Sequence, residues 1–394
     1  MLISLFWIFL AVVVYTFVGY ALVLWVLVQL KTFVFPRKKY RFDHTYEPEI
    51  CLFVTAYNEK DYISQKVENS FGLDYPKEKI QYLWITDGSD DGTPELLKKY
   101  AELEVHHQPE RKGKMHAMNR GMKFVKAPIV IFSDTNTLLN KQAVREIVKR
   151  FSNQRVGCVA GEKRIIEHTS VNAAGAGEGL YWRYESWIKK MDSELNSAVG
   201  AVGELFAVRT DLFEDVETDT LLDDFIVSLR IAQKGYKIAY APEAYAQEEA
   251  SLNVKEELKR KIRIAAGGIQ TIIRLRMLFN IFKYGTLTWQ YISHKVLRWT
   301  ITPILLFMLL FVNLGIVIQP GTWNPKNFYV LFFYVQALSY LVAMLGWYFE
   351  NKRIRSKFFF APYYFVMINL ASLRGIFRYL KGKQSVNWEK SKRA

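Results

Sequence analysis

The first thirty residues contain no charged side chain, and this constrains the fold more than any other feature of the chain. Residues 2–30 are almost wholly apolar, and about 20 such residues suffice to cross the hydrocarbon core of a bilayer. A cleaved signal peptide would have a basic start, a shorter apolar stretch and a small-residue cleavage site. None of these is evident. The sequence therefore predicts a transmembrane helix at residues 1–35, with its N-terminus outside.

Three further apolar runs, at 301–318, 329–347 and 358–376, predict C-terminal transmembrane helices within residues 300–380. The net charge of +15 comes largely from basic clusters that flank the apolar runs, at 37–41, 352–357 and 378–393. Cytoplasmic flanks of membrane helices carry such an excess of Lys and Arg. We therefore predict an integral protein of the bacterial plasma membrane that contacts membrane lipids and binds no nucleic acid.

The topology of the last apolar run is an open point in this interpretation. One N-terminal span followed by three full C-terminal spans would place the basic tail, residues 381–394, outside the cell. The distribution of basic residues places it in the cytosol instead. We favour a cytosolic tail, which requires that the last run does not cross fully or that one span is miscounted.

Between the apolar ends, residues 45–250 alternate short strand-like and helix-like segments. The predicted strands are 50–55, 82–85, one ending near His107, 128–132 and 156–160, and the predicted helices are 63–71, 94–100, 114–125 and 141–151. Repeated βα units of this kind predict a doubly wound, mainly parallel sheet. Ligands of such sheets bind beyond the carboxyl ends of the strands.

Two smaller features complete the organisation of the chain. Residues 251–299 are basic and amphipathic, which predicts helices in the membrane interface, with a soluble basic helix as the alternative. The two cysteines, Cys51 and Cys158, lie far apart in strand-like runs. We therefore expect neither a disulfide nor a zinc site. We expect a reducing, cytosolic setting for the central domain.

Polar side chains follow three of the predicted strands at the points where the strands end. They lie in Thr55–Glu59, Thr86–Thr93 and Ser133–Asn136. An aromatic ring can stack on a base, carboxylates can accept hydrogen bonds from a nucleoside, and lysines at the start of a helix can neutralise phosphate. Carboxylate oxygens also suit Mg²⁺ or Mn²⁺. The pattern predicts a nucleoside diphosphate site. A single Asp-Gly pair would indicate only a turn.

These segments resemble the successive motifs of inverting family 2 glycosyltransferases. The membrane-integrated branch, which contains the hyaluronan, chitin, cellulose and poly-N-acetylglucosamine synthases and ceramide glucosyltransferase, is the most similar. The motifs that carry the resemblance are Tyr57-Asn58-Glu59, Asp87-Gly88-Ser89, Asp91-Gly92-Thr93, Lys112-Gly113-Lys114, Ser133-Asp134-Thr135-Asn136 and, at the C-terminus, Asn387-Trp388-Glu389-Lys390. The resemblance implies a GT-A-like α/β domain in the cytosol, embedded between membrane helices and interface helices.

The resemblance also implies roles for individual residues. Nucleotide-sugar binding is implied for Tyr57, Glu59, Asp87, Lys114, Asp134 and Arg263. Asp134 would bind Mg²⁺ or Mn²⁺ together with Asn136, which stands where the family motif has a second Asp and is a weaker, neutral ligand. Acceptor binding is implied for Gly203, Glu204, Asp223 and Arg260.

Asp224 is implied to be the catalytic base, because inversion requires one carboxylate to take the proton of the attacking hydroxyl. The alternative is that Asp223 and Asp224 are two acids favoured by the dipole at a helix N-terminus. A clear departure from the family lies downstream. Processive members carry Q-x-x-R-W, and this chain has Arg260 for the Gln and Ile264 for the Trp. Other candidates for a sugar platform are Trp182, Trp187 and Trp299.

The sequence thus predicts inverting transfer from a UDP-sugar to a growing β-linked polysaccharide at the cytosolic face, with possible coupling to export. A non-processive enzyme that glycosylates a membrane lipid is the first alternative, favoured by the missing Trp. A non-catalytic nucleotide-sugar-binding protein and a transporter are remote alternatives. The acids are present, and the membrane runs lack the polar residues of a transport path. The oligomeric state is left open.

Overall fold

The computed structural model describes residues 1–35, 45–166, 173–249, 251, 253–351 and 357–382. Most of the three basic clusters, and the C-terminal motif at 387–390, lie outside these ranges. The helices within them are α1 Leu2–Val14, α2 Tyr20–Val34, α3 Lys60–Phe71, α4 Thr93–Leu97, α5 Lys114–Met122, α6 Ala143–Val148, α7 Ala173–Leu195, α8 Asp223–Gln233, α9 Val254–Arg274, α10 Ile281–Tyr284, α11 Thr286–Tyr291, α12 Leu297–Trp299, α13 Ile301–Val317, α14 Phe328–Asn351 and α15 Lys357–Leu380.

A single eight-stranded sheet forms the centre of the described part. Its strands are β1 Ile50–Ala56, β2 Ile80–Asp87, β3 Leu103–Gln108, β4 Ile129–Asp134, β5 Leu138–Leu139, β6 Val156–Ile166, β7 Leu205–Arg209 and β8 Lys237–Glu249. They are ordered β3-β2-β1-β4-β7-β6-β8-β5. Strands β1 to β4 pair in parallel, as do β6 and β8, whereas β7 and β5 run antiparallel to their neighbours. The predicted mainly parallel, doubly wound sheet is confirmed.

The alternation of side chains along β1 divides the domain into two cores. All seven residues of this strand are buried, as expected of a parallel strand covered on both faces. Phe53 faces a core that includes α5, α8 and the segment from Leu275 to Val296. Leu52 and Val54 face the core formed with α3, α4 and α6. One core is therefore shared between the sheet and the helices that follow it, which fixes the sheet relative to the membrane segments.

The structure differs from the sequence interpretation in three strands and in the bounds of two helices. Strands β5, β7 and β8 were not predicted, because β5 and β7 are short and β8 mixes small, aromatic and charged residues. The predicted helix 114–125 ends at Met122, and the predicted helix 141–151 is α6 followed by a 3₁₀ turn at Lys149–Ser152. These differences leave the carboxyl ends of β1, β2 and β4 where the βα pattern placed them.

Two helices in the described ranges, Leu2–Val34 and Phe328–Glu350, are long and apolar enough to cross a membrane. A third candidate is the pair Thr286–Trp299 and Ile301–Val317, which bends by 52°. Helix α15 is not among the candidates, so three full C-terminal spans are not found. It packs along α9 instead, where a Cβ at Gly375 would lie 2.6 Å from the Cβ of Ala265.

Candidate active site

The candidate site lies at the carboxyl edge of the sheet, between β1 and β4. The strand order runs 3-2-1 on one side of this point and continues with β4 on the other, which is the crevice where doubly wound sheets bind ligands. The register sets Thr55 beside Asp134, and Ala56 beside Thr86. The segments that follow the three strands therefore meet, as predicted.

Many polar groups of these segments hold the loops to one another. Asn58 donates from its amide to Asp90 Oδ1 at 2.8 Å and accepts from the Asp90 backbone N–H at 3.0 Å. The Glu59 backbone N–H donates to Thr93 Oγ1 at 3.0 Å, and the Glu59 side chain is buried. Asp91 accepts from the Lys60 and Thr93 backbone N–H groups. The Asp-Gly-rich segment thus serves largely to hold the loop after β2 against the loop after β1.

Asp87 supports the loop that carries the basic residues. Its carboxylate accepts from the backbone N–H groups of Lys112 at 3.0 Å and Gly113 at 2.7 Å. Gly88 has a φ of +71°, and a Cβ there would lie 2.6 to 2.8 Å from Arg111 atoms, two of them in its backbone. Only glycine fits so close an approach. The nucleoside contact predicted for Asp87 would therefore come in addition to this anchoring role.

A small pocket opens beside this loop. Its walls are Thr55, Ala56, Tyr57, Asp87, Arg111, Gly113, Lys114 and Ala117. The Arg111 guanidinium carbon lies 3.8 Å from the centre of the Tyr57 ring, a distance typical of cation–π stacking. Sequence reasoning did not single out Arg111. Its position directly before Lys112 in a basic run was the available signal.

Lys114 connects two acids at the mouth of the pocket. Its Nζ lies 2.8 Å from Asp134 Oδ1 and 2.9 Å from Asp223 Oδ2. Burial acts to lower the pKa of Lys114, but the two facing carboxylates outweigh it and raise the pKa. Burial raises the pKa of Asp134, and Lys114 opposes that rise. The structure therefore places Asp223, which was predicted to bind the acceptor, beside Lys114 and Asp134, which were predicted to bind the nucleotide-sugar.

Asp224, the second residue of α8, faces the same space. Its pKa is raised to about 7, first by burial and then by the negative charges of Asp223 and Glu204. The loop before β7 passes close by, since a Cβ at Gly203 would lie 3.6 Å from Asp224 Cγ. A carboxylate whose pKa is near neutral can accept a proton from a hydroxyl efficiently at physiological pH.

Glu204 and Arg260 belong to an ion-pair network next to Asp224. Glu204 Oε1 accepts from Lys163 Nζ at 2.6 Å and lies 3.9 Å from Arg260 Nη1. Burial acts to raise the pKa of Glu204, but these cations outweigh it and lower the pKa. Arg260 Nε also lies 3.0 Å from Glu257 Oε2. Glu204 thus lies near Asp224, and Glu204 and Arg260, two of the residues predicted for the acceptor, are both paired with other charges.

Arg263, which was predicted to bind the nucleotide-sugar, lies near the same acids. Burial lowers the pKa of its guanidinium, and the carboxylates of Asp223 and Asp134 oppose that effect. Its charge therefore interacts with both acids that contact Lys114. This location agrees with a group that holds a diphosphate.

The donor atoms of the predicted metal motif have the chemistry that Mg²⁺ or Mn²⁺ requires. Asp134 offers a carboxylate and Asn136 an amide oxygen, both hard ligands. The Asn136 amide nitrogen donates to Glu248 Oε1 at 3.2 Å. In the described ranges, no three His, Cys, Asp or Glu side chains are grouped to hold an ion by themselves. The two residues fit a metal that takes its remaining ligands from phosphate and water.

Two of the three tryptophans that were candidates for stacking on the acceptor sugar, Trp182 and Trp299, contact other side chains of the protein. Three ammonium groups surround the Trp182 ring, with Nζ atoms 5.0 to 5.6 Å from its centre: Lys163, Lys189 and Lys261. Trp299 packs against Gly268 and lies 5.1 Å from Phe225 in an edge-to-face contact. Trp187 is 37% exposed.

Comparison with known proteins identifies the family of the chain. The sequence profile described as "Glycosyltransferase like family 2" matches residues 48–267, which is more than half of the chain. The protein belongs to this family. This confirms the resemblance drawn from the motifs, and it makes the chain a family 2 glycosyltransferase.

The glycosyltransferase is similar in sequence to polysaccharide synthases. It is 29% identical over 236 residues to the poly-beta-1,6-N-acetyl-D-glucosamine synthase of Staphylococcus aureus strain MSSA476, an alignment that covers 57% of this chain and 56% of the relative. The synthase of Staphylococcus epidermidis is 26% identical over 247 residues, which cover 59% of this chain and 57% of the relative. The match therefore spans little more than half the length of these curated relatives.

The fold of the glycosyltransferase extends across a known structure of the same class. It aligns with the mannosyltransferase PcManGT from Pyrobaculum calidifontis, in complex with GDP-Man and Mn2+, with a TM-score of 0.72 at 20% identity. The alignment covers 96% of this chain and 99% of that chain. The GT-A-like fold of the α/β domain is thereby confirmed, and the alignment also extends over the candidate membrane spans.

Proposed function

We propose that this glycosyltransferase transfers a sugar, with inversion, from a UDP-sugar to a growing β-linked polysaccharide at the cytosolic face of a bacterial plasma membrane. The observation that carries the proposal is the Asp224 carboxyl group, whose pKa is raised to about 7 beside the bridged pair Asp134 and Asp223. The similarity to polysaccharide synthases supports the acceptor class. PcManGT is in complex with GDP-Man, so the experiment must compare UDP-sugars with GDP-sugars as donors.

The residues divide the reaction between two sides. Asp224 accepts the proton of an acceptor hydroxyl, whose oxygen forms the new bond to the anomeric carbon as the bond to the diphosphate breaks. Tyr57 and Arg111 provide a stacking surface for the nucleobase of the donor. Lys114 and Arg263 neutralise the departing diphosphate. Asp134 and Asn136 would hold the Mg²⁺ or Mn²⁺ ion, which supplies Lewis-acid stabilisation of the leaving group.

A second candidate function is transfer to a membrane lipid by a non-processive enzyme. Ile264 offers no aromatic face where processive relatives have Trp, and the ring of Trp182 is enclosed by lysines. A stacked acceptor chain therefore lacks an evident platform at these positions. The alternative of a non-catalytic binding protein is disfavoured by Asp224, because binding alone would not need a carboxyl group with a pKa near 7.

The test is nucleotide release by the full chain in nanodiscs, with a panel of UDP- and GDP-sugars and Mn²⁺ or Mg²⁺. The Asp224→Asn variant should lose roughly 10²- to 10⁴-fold in kcat, the usual contribution of a general base. Exposed Asp211→Asn is the matched control and should retain activity. A ladder of long products would support the synthase, and a single lipid-attached product the second candidate. Absence of turnover with every donor and acceptor lipid would refute catalysis.

We also propose that both the catalytic domain and the C-terminus face the cytosol. The three candidate spans, counting the bent pair as one, are an odd number, so an external N-terminus places the tail inside. In a bacterial host, fusion of green fluorescent protein to the C-terminus should fluoresce, and fusion of alkaline phosphatase should be inactive. Active phosphatase would instead mean that the bent pair does not cross.

A further inference from the structure

The ammonium of Lys114 contacts the carboxylate that a metal ion would use. Its Nζ lies 2.8 Å from Asp134 Oδ1, and the same atom is 2.9 Å from Asp223 Oδ2. The three side chains are only 13 to 18% exposed. Lys114 is therefore a cation already placed between the two acids on the donor side of the site.

The charges of the two acids beside Lys114 are offset without a metal, and Lys163 and Arg260 offset that of Glu204, so that only an ionised Asp224 adds further negative charge. The negative charges of Asp134 and Asp223 face one ammonium, that of Lys114, and one guanidinium, that of Arg263, which interacts with both acids. Asn136 contributes no charge. A buried carboxylate attracts a divalent ion mainly through charge, so a site balanced in this way attracts one weakly.

The groups around the motif also restrict what else could ligate an ion. Lys66, fully buried behind the motif, donates from Nζ to Ser133 Oγ and to the Thr137 carbonyl, each at 2.7 Å. Glu204 is bound by Lys163 at 2.6 Å. In the described part of the chain, no three His, Cys, Asp or Glu side chains are grouped so that they could hold an ion.

We propose that Lys114 excludes free Mg²⁺ or Mn²⁺ from this site, so that the ion enters only together with the nucleotide diphosphate. Phosphate oxygens supply both the missing ligands and the missing negative charge. They also give the Lys114 ammonium a new partner, which releases Asp134. Lys114 is thus a positioning residue that makes metal loading depend on the donor. The inference rests on the proposed use of a nucleotide-sugar.

Electron paramagnetic resonance of Mn²⁺ tests this with the full chain in nanodiscs, by titration with and without UDP. Wild-type protein should bind about one Mn²⁺ with UDP. Without UDP it should bind Mn²⁺ at least roughly tenfold more weakly, because the negative charge of the diphosphate is then missing. Lys114→Met should gain Mn²⁺ binding without UDP by a similar factor. A gain confined to a single saturable site distinguishes this result from nonspecific Mn²⁺ binding by a misfolded chain.

Lys123→Met, an exposed lysine just after the same helix, is the matched control and should behave like the wild type. Equal Mn²⁺ affinity with and without UDP, in an enzyme that turns over a donor, would overturn the inference and leave the proposed function intact. So would a folded Lys114→Met variant without the gain. If UDP neither binds nor promotes Mn²⁺ binding, and no donor is turned over, the proposed function fails and the inference fails with it.

Discussion

At the scale of single residues, the environment of each acid decides its chemistry. Asp134, Asp223 and Asp224 lie within one space, yet a lysine bridges the first two, while Asp224 has its pKa raised to about 7. The pairing with Lys114 leaves Asp224 as the group suited to accept a proton.

The pH dependence of the rate tests this assignment. Asp224 acts as a base only when ionised, so kcat/KM should fall as pH drops through about 7 and be roughly tenfold below its plateau at about pH 6. Asp223→Asn removes a negative charge that raises the pKa of Asp224, and should move the midpoint to lower pH. Initial rates from about pH 5 to 9 measure both. An unchanged midpoint in Asp223→Asn would contradict this electrostatic account.

At the scale of elements, the loops after β1 and β2 matter as much as the strands. Reciprocal bonds between Asn58 and Asp90 join these loops, and Asp87 fixes the turn before α5 through two backbone N–H groups. Asn58 takes a left-handed φ of 52°, which Asn tolerates better than most residues. The loops form one connected platform for Tyr57 and Lys114.

Two glycines with left-handed backbones, Gly88 in this platform and Gly235 between α8 and β8, allow backbone strain to be separated from steric contact. Gly235→Ala adds a Cβ with nothing within 4 Å and should cost about 1–2 kcal/mol, the price of a left-handed conformation alone. Gly88→Ala adds the same strain and also drives its Cβ to within 2.8 Å of Arg111, so it should cost clearly more. Buried Cys51 and Cys158 report unfolding through their reactivity with a thiol dye. Equal shifts in melting temperature would refute the steric argument.

At the scale of the whole molecule, a buried polar network joins the sheet domain to the membrane helices. Glu185 accepts from Lys295 and from Arg298 Nη1, the latter at 2.8 Å. His294 lies between Glu185 and Asp192, with nitrogen–oxygen distances of 3.1 and 2.6 Å. The Tyr20 hydroxyl, in the N-terminal helix, donates to Asp192. Helix α7 thereby binds both α2 and the segment before α13.

Loss of the Glu185 charge should loosen this junction. Glu185→Gln would leave buried Lys295 and Arg298 without their carboxylate, and removing one partner of a buried ion pair costs about 3–5 kcal/mol. Glu217→Gln, whose pair with Arg230 is half exposed, should cost no more than about 1 kcal/mol. Thermal unfolding in nanodiscs compares the two variants. Similar stability losses would show that the junction does not depend on this charge.

The residue sequence alone determined the class of the molecule. The uncharged first thirty residues, the βα alternation and the positions of acids at strand ends predicted the membrane anchor, the sheet and the edge that carries the site. Family membership and the GT-A-like fold confirm the sheet, and Leu2–Val34 is long and apolar enough for the predicted anchor. They could be predicted because hydrophobic periodicity and strand ends are local properties of a sequence. The individual roles of Asp224, Glu204 and Arg263 stay predictions.

Only the tertiary structure decided how these residues act on one another. The Asp87 carboxylate accepts a hydrogen bond from the backbone of Lys112, 25 positions away, and the Arg111 guanidinium lies over the Tyr57 ring. Helix α15 packs on α9 and is not a candidate membrane span. The pKa of Asp224 depends on burial and on Asp223 and Glu204. Such effects follow from distances between segments remote in sequence. Electrostatic energy varies steeply with distance and burial, and the order of residues fixes neither until the chain has folded.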